Sequence, residues 1–182
     1  MAGQLRRLDE SRLNDFFAVH SQALECGWCN CVAWWVPTWE GWGERTAAEN
    51  RELREKLFRE GHYDGYIYYA GGAPVAWCQV GVRDRLEKLV RQFALPPDPE
   101  VWALTCLLVA PAHRRAGVAR RMLEAVIEDL RSRGVRRLQA YPKKSDSTDP
   151  LDLWCGPRRL LDDLAFRRSS PETGPLVMEL EL

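Results

Sequence analysis

VAPAHRRAGVARRML, residues 109–123, is the stretch on which the reading of the fold turns. An apolar run stops at Pro111, four arginines gather around one glycine, Gly117, and a helical pattern begins. Upstream, EVWALTCLLVA (100–110) is apolar and unbroken, the pattern of a strand buried on both faces. Downstream, Val118, Met122, Val126, Ile127 and Leu130 form one helical stripe, and Gly134 supplies the stop. Strand, basic turn and helix therefore follow in direct succession. The first N–H groups of a helix have no internal acceptor, and the helix dipole places about half a positive charge there. A glycine in the turn removes the Cβ that would keep an anion at a distance, and arginines add bidentate donors. Such a unit suits a pyrophosphate. Neither G-x-x-x-x-G-K-[ST] nor G-x-G-x-x-G occurs in the chain.

Outward from this unit, Leu13, Phe16, Phe17 and His20 fall at helical spacing behind Asp9 or Ser11, predicting a first helix over about 11–20. TAAE (46–49) has capping-box spacing and opens a second helix, which Gly61 closes. YDGYIYYAGGAPVAWCQVGV (63–82) reads as a hairpin, two β-rich runs joined by a Gly-Gly turn. A charged helix is expected over 84–93, ended by PPDP (96–99). VRRLQAYP (135–142) reads as a strand and KKSDSTDP (143–150) as a polar loop. A helix over 157–164 starts on a proline, and the alternating PLVMELEL (175–182) closes the chain as a strand. No repeat or linker interrupts the pattern. One mixed α/β domain over 1–182 is expected.

The chain has 182 residues, enough for one domain with a proper core, and 26 basic side chains balance 26 acidic ones. That balance, with a pI near 6.8, gives no general attraction for nucleic acid or an anionic membrane. Locally it fails. Residues 114–137 hold eight arginines against three acids, while from Asp149 onward acids outnumber bases seven to four. A basic patch on a neutral protein suits a small anionic ligand better than a polyanion. MAGQLRRLDES lacks the apolar core of a signal peptide, and the longest uncharged run, 65–82, is broken by AGGAP. A cytoplasmic protein is expected, with its six cysteines as thiols.

At this point the chain resembles the GCN5-related N-acetyltransferases. RRAGVA (114–119) fits that family's Arg/Gln-x-x-Gly-x-Gly/Ala signature, and LLVAPAHRRAGVARRML looks like its central strand, turn and helix. LLDDLAF (160–166) is similar to the family's last helix ending in Gly-Phe, with Ala165 in place of the glycine. The hairpin lies where the family's second and third strands belong. GWCNC (27–31) and AYP (140–142) also resemble elements of a subset of bacterial acetyltransferase-like proteins.

The resemblance implies a central mixed sheet of about six to seven strands flanked by about four helices. It implies transfer of an acetyl group from acetyl-CoA to a primary amine of a small molecule or peptide, by direct attack. Acetyl-CoA would be held by a core over about 101–142. The backbone of Leu107, Leu108 and Val109 would pair with the pantetheine arm, an amide near Leu108 facing the thioester oxygen. Arg114, Arg115, Ala116, Gly117, Val118, Ala119 and Arg120 would hold the pyrophosphate. The fold itself needs no metal, and a second copy of the chain is a conceivable partner.

The proton chemistry is harder to read. A lysine-like amine has a pKa near 10.4, so its neutral form at pH 7 carries a handicap of about 4–5 kcal/mol and needs a proton acceptor. Glu25, Glu40 and Glu100 are the carboxylates near the acceptor side or the central strand, with Glu25 the leading candidate base. Many relatives protonate the leaving thiolate with a tyrosine of the last helix. Here the corresponding position is Leu161, so Tyr141 is the candidate acid, with Cys155 as a substitute.

ECGWCNCVAWWVPTWEGW (25–42) belongs to the segment, about 25–45, that would line the acceptor pocket. Trp28, Trp34, Trp35, Trp39 and Trp42 either form a cage for an alkylammonium group or fill core beneath a long loop. Cys26, Cys29 and Cys31, with His20 upstream, supply four donors for zinc, but C-x-C leaves little room for a tetrahedral site; thiols packed among tryptophans are the expectation. Cys78 and Cys106 fall inside strand patterns and read as core. Three functions compete: an acetyltransferase, a non-catalytic acyl-CoA sensor or interaction protein on the same fold, and a cysteine-based metal or redox module.

Overall fold

The computed structural model describes residues 3–23, 26–143 and 152–182. Its strands are β1 (Gln4–Arg7), β2 (Tyr66–Ala70), β3 (Ala73–Val82), β4 (Val101–Val109), β5 (Arg137–Ala140), β6 (Arg167–Arg168) and β7 (Met178–Glu181). Its α-helices are α1 (Leu13–Gln22), α2 (Ala47–Arg59), α3 (Glu87–Gln92), α4 (Val118–Ser132) and α5 (Arg158–Asp163). The strands form one sheet in the order β1-β2-β3-β4-β5-β7-β6. Within it β4 and β5 are parallel, and the other neighbours are antiparallel.

Local chemistry accounts for most of these elements. Thr46 accepts from the Glu49 amide while Glu49 accepts from the Thr46 amide, the reciprocal cap that TAAE predicts. Gly117 caps α4 with φ +75°, and Gly134 ends it in the same left-handed region. The expected helix over 84–93 divides into a 3-10 turn, Arg83–Arg85, and the short α3. Strands β1 and β6 have no mark in the sequence pattern, and five α-helices stand where about four are expected.

Two helical layers cover the sheet. The α4 stripe Val118, Met122, Leu123, Val126, Ile127 and Leu130 packs on Leu104, Leu107, Leu138 and Ala140 of the sheet, with Leu161 and Phe166 beside it. On the other face, Phe16 and Val19 of α1 and Phe58 of α2 pack on Ile67, Trp77, Cys106 and Leu108. A third cluster joins Trp34, Leu86 and Leu89 to Ala103, Tyr141, Cys155 and Val177. No described helix is long and apolar enough to cross a membrane.

One irregularity positions the site. Pairing between β3 and β4 sets Gln79 opposite Cys106 and Val80 opposite Leu104, so Thr105 is an extra residue in β4. Pairing of β4 with β5 covers only Val101 to Leu104. Past the bulge the two strands part, and Thr105 to Val109 present an edge that β5 does not cover.

Candidate active site

The open edge of β4 leads directly into the turn before α4. Pro111–His113 form a 3-10 turn, Arg115 takes φ +62° and Gly117 φ +75°. A side chain at Gly117 would be strained by that φ by about 1–2 kcal/mol, and its Cβ would meet Arg121 Nη1 at 3.0 Å. Among the described residues, the amides of Arg115 to Arg120 donate to no protein acceptor; the first helical bond at this end runs from the Arg121 amide to Gly117 O, 3.2 Å. Arg115, Ala116 and Gly117 are exposed. Left-handed residues alternating with others point successive N–H groups into one concavity, and the helix dipole adds to it. The turn has the geometry to cradle an anion with its backbone.

The arginines around it brace the turn. Arg121 donates to Ala116 O at 2.9 Å, Arg114 Nε donates to Val109 O at 3.0 Å, and Arg120 pairs with Asp163 of α5. The side chains of Arg114, Arg120 and Arg121 are thus held by the protein, while the exposed Arg115 guanidinium makes no side-chain hydrogen bond among the described residues and joins the peptide groups as a bare donor.

Backbone direction alternates along a strand. The Leu107 amide points away from β3 and donates to Trp154 O at 2.7 Å, whereas the Ala110 amide points to β3 and donates to Val75 O at 2.9 Å. Leu107 and Val109 therefore present the open edge. Leu108, expected to face the reacting group through its amide, shares the parity of Ala110 and turns its peptide groups toward β3. Trp154 already sits across the edge at Leu107, and the Cys155 thiol donates to Thr105 O at 3.8 Å. Two buried polar atoms near this side have no partner among the described residues, Thr105 Oγ1 and Trp34 Nε1.

The two residues proposed for proton transfer fare differently. Glu25 lies outside the described residues. Tyr141 follows β5 and is buried, its hydroxyl donating to Gln139 Oε1 at 2.9 Å. Burial pushes that hydroxyl's pKa well up. Gln139 also accepts from Arg83 at 3.3 Å and donates to Glu179 at 2.7 Å. Tyr141 belongs to this network, which ties β5 to its neighbours. Leu161 is fully buried against the α4 layer, so its position carries no acid. Glu40 and Glu100 are exposed.

The tryptophan segment does form a cage, and the protein fills it itself. Lys88 Nζ lies 3.4 Å from the Trp39 ring centroid and 5.7 Å from those of Trp34 and Trp42. Its Nζ also donates to Thr38 O at 3.4 Å. Desolvation brings its pKa down to about 8. Trp34 packs on Trp154, centroids 5.7 Å apart, which links the cage to the covered part of the β4 edge. The cysteines are all reduced, and no described cluster of three or more His, Cys, Asp or Glu is placed to hold a metal ion. Cys29 is pushed up to about 12 by burial. Cys31 is opposite: burial would raise it, but hydrogen bonds from Cys106 and His20 and the Arg54 charge hold it well below the ordinary thiol range.

Sequence reasoning misses Lys88 and Trp154. A lysine on a charged helix gives no sign that it enters an aromatic cage, and Trp154 lies in a loop whose path nothing local dictates.

The model of the acetyltransferase (GNAT) family matches residues 28–149. Among solved structures, the chain is similar to the ribosomal-protein-S18-alanine N-acetyltransferase of Escherichia coli, at 15% identity and TM-score 0.59, covering 99% of this chain and 94% of that one. An N-acetyltransferase of Staphylococcus aureus Mu50 follows at 16% identity and TM-score 0.55, covering 100% and 99%. The PaiA N-acetyltransferase of Thermoplasma acidophilum, solved with coenzyme A, gives 11% identity and TM-score 0.56, covering 100% of both chains. At these identities the likeness is one of fold. No curated protein matches the sequence.

Proposed function

The chain belongs to the acetyltransferase (GNAT) family, and from that premise we propose that it moves an acetyl group from acetyl-CoA to a primary amine of a small molecule or peptide, by direct attack. The observation that carries this reading is the continuity of the open β4 edge with the bare amides of Arg115 to Arg120. Together they fit a ligand with an extended amide-bearing arm and a diphosphate. Bound acetyl-CoA supplies an activated acetyl group; the chain's residues hold and orient it.

On this reading the amides of Arg115 to Arg120 bind the diphosphate, with Gly117 leaving the approach open. Leu107 and Val109 offer the β4 edge to the pantetheine arm, and this requires the Leu107 amide to exchange Trp154 O for the arm. Trp154 and its partner Trp34 then border the amine's approach. Placing amine and thioester together removes much of the entropic barrier, and the amide aimed at the edge meets developing negative charge. Proton removal falls to water or to a carboxylate, with Glu25, which lies outside the described residues, kept as the candidate base.

A second reading, acyl-CoA binding without transfer, is favoured by the buried Tyr141 and Leu161 and by the covered Leu107 amide. Thiol release measured over polyamines, aminoglycosides, amino acids and peptides separates the two. Acetyl transfer predicts release that depends on the amine. Binding of acetyl-CoA without amine-dependent release across the panel would contradict transfer and leave the sensor.

A further inference from the structure

Five indoles form one row. Ring centroids lie 5.7 Å apart from Trp154 to Trp34, 5.2 Å from Trp34 to Trp39, 5.9 Å from Trp39 to Trp42 and 5.1 Å from Trp42 to Trp28. At one end, Trp154 O holds the Leu107 amide at the open β4 edge. The other end reaches the surface. Trp28 and Trp42 are half-buried there, and Trp39, 40% exposed, is the one exposed large apolar side chain among the described residues.

The row already holds one cation. Lys88 is buried, and its ammonium lies 3.4 Å from the Trp39 centroid and 5.7 Å from those of Trp34 and Trp42. Gln92 accepts from Trp39 Nε1 at 2.6 Å, which fixes that ring. A buried ammonium ordinarily finds a carboxylate. This one makes no ion pair among the described residues, and its hydrogen bond to Thr38 O, at 3.4 Å, is long. The indole faces are therefore its main partners, as in sites that recognise alkylammonium groups. Beside Trp39 and Trp42 in the chain, the exposed carboxylates Glu40 and Glu44 make no hydrogen bond or ion pair among the described residues. Arg45 and Arg91 leave them unanswered, because Arg45 donates to Asn50 at 2.6 Å and Arg91 to Pro37 O at 2.8 Å.

We propose that Trp34, Trp39 and Trp42, with Glu40 and Glu44 at the rim, form a subsite for an alkylammonium group of the acceptor, and that Lys88 holds this place in the unliganded chain. The flexible Lys88 stem lets its ammonium withdraw when a ligand cation enters. The acceptor then carries a positive group besides the amine that reacts, and the indole row leads from that group toward Trp154 and the β4 edge. The proposal rests on acetyl transfer only for the fate of the bound amine; binding is measured without an acetyl donor.

The test is calorimetry at low salt on the full chain, with coenzyme A present, using n-butylammonium and its neutral counterpart 1-butanol. The ammonium should bind at least about tenfold more tightly than the alcohol. Lys88→Gln removes the internal competitor and should tighten ammonium binding about tenfold, a gain that a merely structural lysine would not give. Trp39→Leu should weaken it by about as much. Glu40→Gln combined with Glu44→Gln should weaken it about threefold and reduce its salt dependence. Spermidine and a short lysine-bearing peptide separate the two sources of the cation: the one whose binding is lost in Trp39→Leu is the ligand. Binding without thiol release from acetyl-CoA supports the subsite and counts against transfer alone. Equal binding of alcohol and ammonium, or no tightening in a Lys88→Gln variant shown to be folded by circular dichroism, would overturn the subsite even where acetyl transfer is observed.

Discussion

Around Gly117 the backbone is bare: six consecutive amides lack protein acceptors among the described residues, and Arg114, Arg120 and Arg121 brace the turn. Around Cys31 and Trp34, on the other side of β4, the chain has answered most of its own polar groups. Arg54 takes the loop carbonyls, Lys88 fills the indole cage, and Trp154 O takes the Leu107 amide. The first region is open, and the proposed reading places the coenzyme A diphosphate there. The second, where that reading places the acceptor pocket, is packed to a particular shape. The contrast teaches that the first is shaped by adjacent residues and the second by tertiary packing, so substitutions should affect them differently.

The largest effect is expected at the cradle. Gly117→Glu adds a strained side chain and a negative charge where the diphosphate is proposed to bind, and it should weaken coenzyme A binding by roughly 100-fold or more by calorimetry. Loss of stability should stay near about 1–2 kcal/mol, because the turn is at the surface. On the proposed acceptor side the balance reverses. Arg54→Leu leaves the carbonyls of Asn30 and Cys31 buried without donors, and urea unfolding should show a loss of about 2–4 kcal/mol. Coenzyme A affinity of the folded variant should change less than about threefold, because the two sites share no partner. If Arg54→Leu abolished coenzyme A binding while stability held, the two regions would not be separable.

A smaller effect tests the cage. Lys88 has a folded-state pKa of about 8, below its unfolded value of 10.5, so the unfolded chain binds more protons between those values. Stability from this residue should therefore rise with pH from about 8 to 10.5. Tm of the native chain minus Tm of Lys88→Met should grow across that window, and a flat difference would mean the ammonium is not desolvated. The smallest effect concerns Ala165, which holds φ +68° where the family's motif has glycine. Ala165→Gly relieves the left-handed Cβ and should raise stability by about 0.5–1 kcal/mol.

How legible each part is in the sequence follows the same division. The β4–turn–α4 unit is written in neighbouring residues: an apolar run, a glycine at a left-handed cap and a stripe at helical spacing. The hairpin and the α2 capping box are equally local. β1, QLRR, has no alternation to mark it, and it is a strand because β2 offers an edge. β6 is a two-residue pairing with β7. The order of the elements does not reveal the parting of β4 from β5, since it arises from the extra residue Thr105. Spacing alone does not set strand parity, so nothing in the sequence separates Leu108 from its outward-facing neighbours. AYP makes Tyr141 a reasonable candidate, but its hydroxyl is claimed by Gln139, a residue two positions away on the same strand face. Lys88 in the indole cage and Cys106 beside Cys31 join positions far apart in the chain, which no periodicity reports.

Amide hydrogen exchange with and without coenzyme A reads the cradle directly. Residues 115–120 should exchange rapidly in the unliganded chain and become the most strongly protected segment when coenzyme A is added. Protection elsewhere, with 115–120 unchanged under saturating ligand, would show that these peptide groups do not hold the diphosphate.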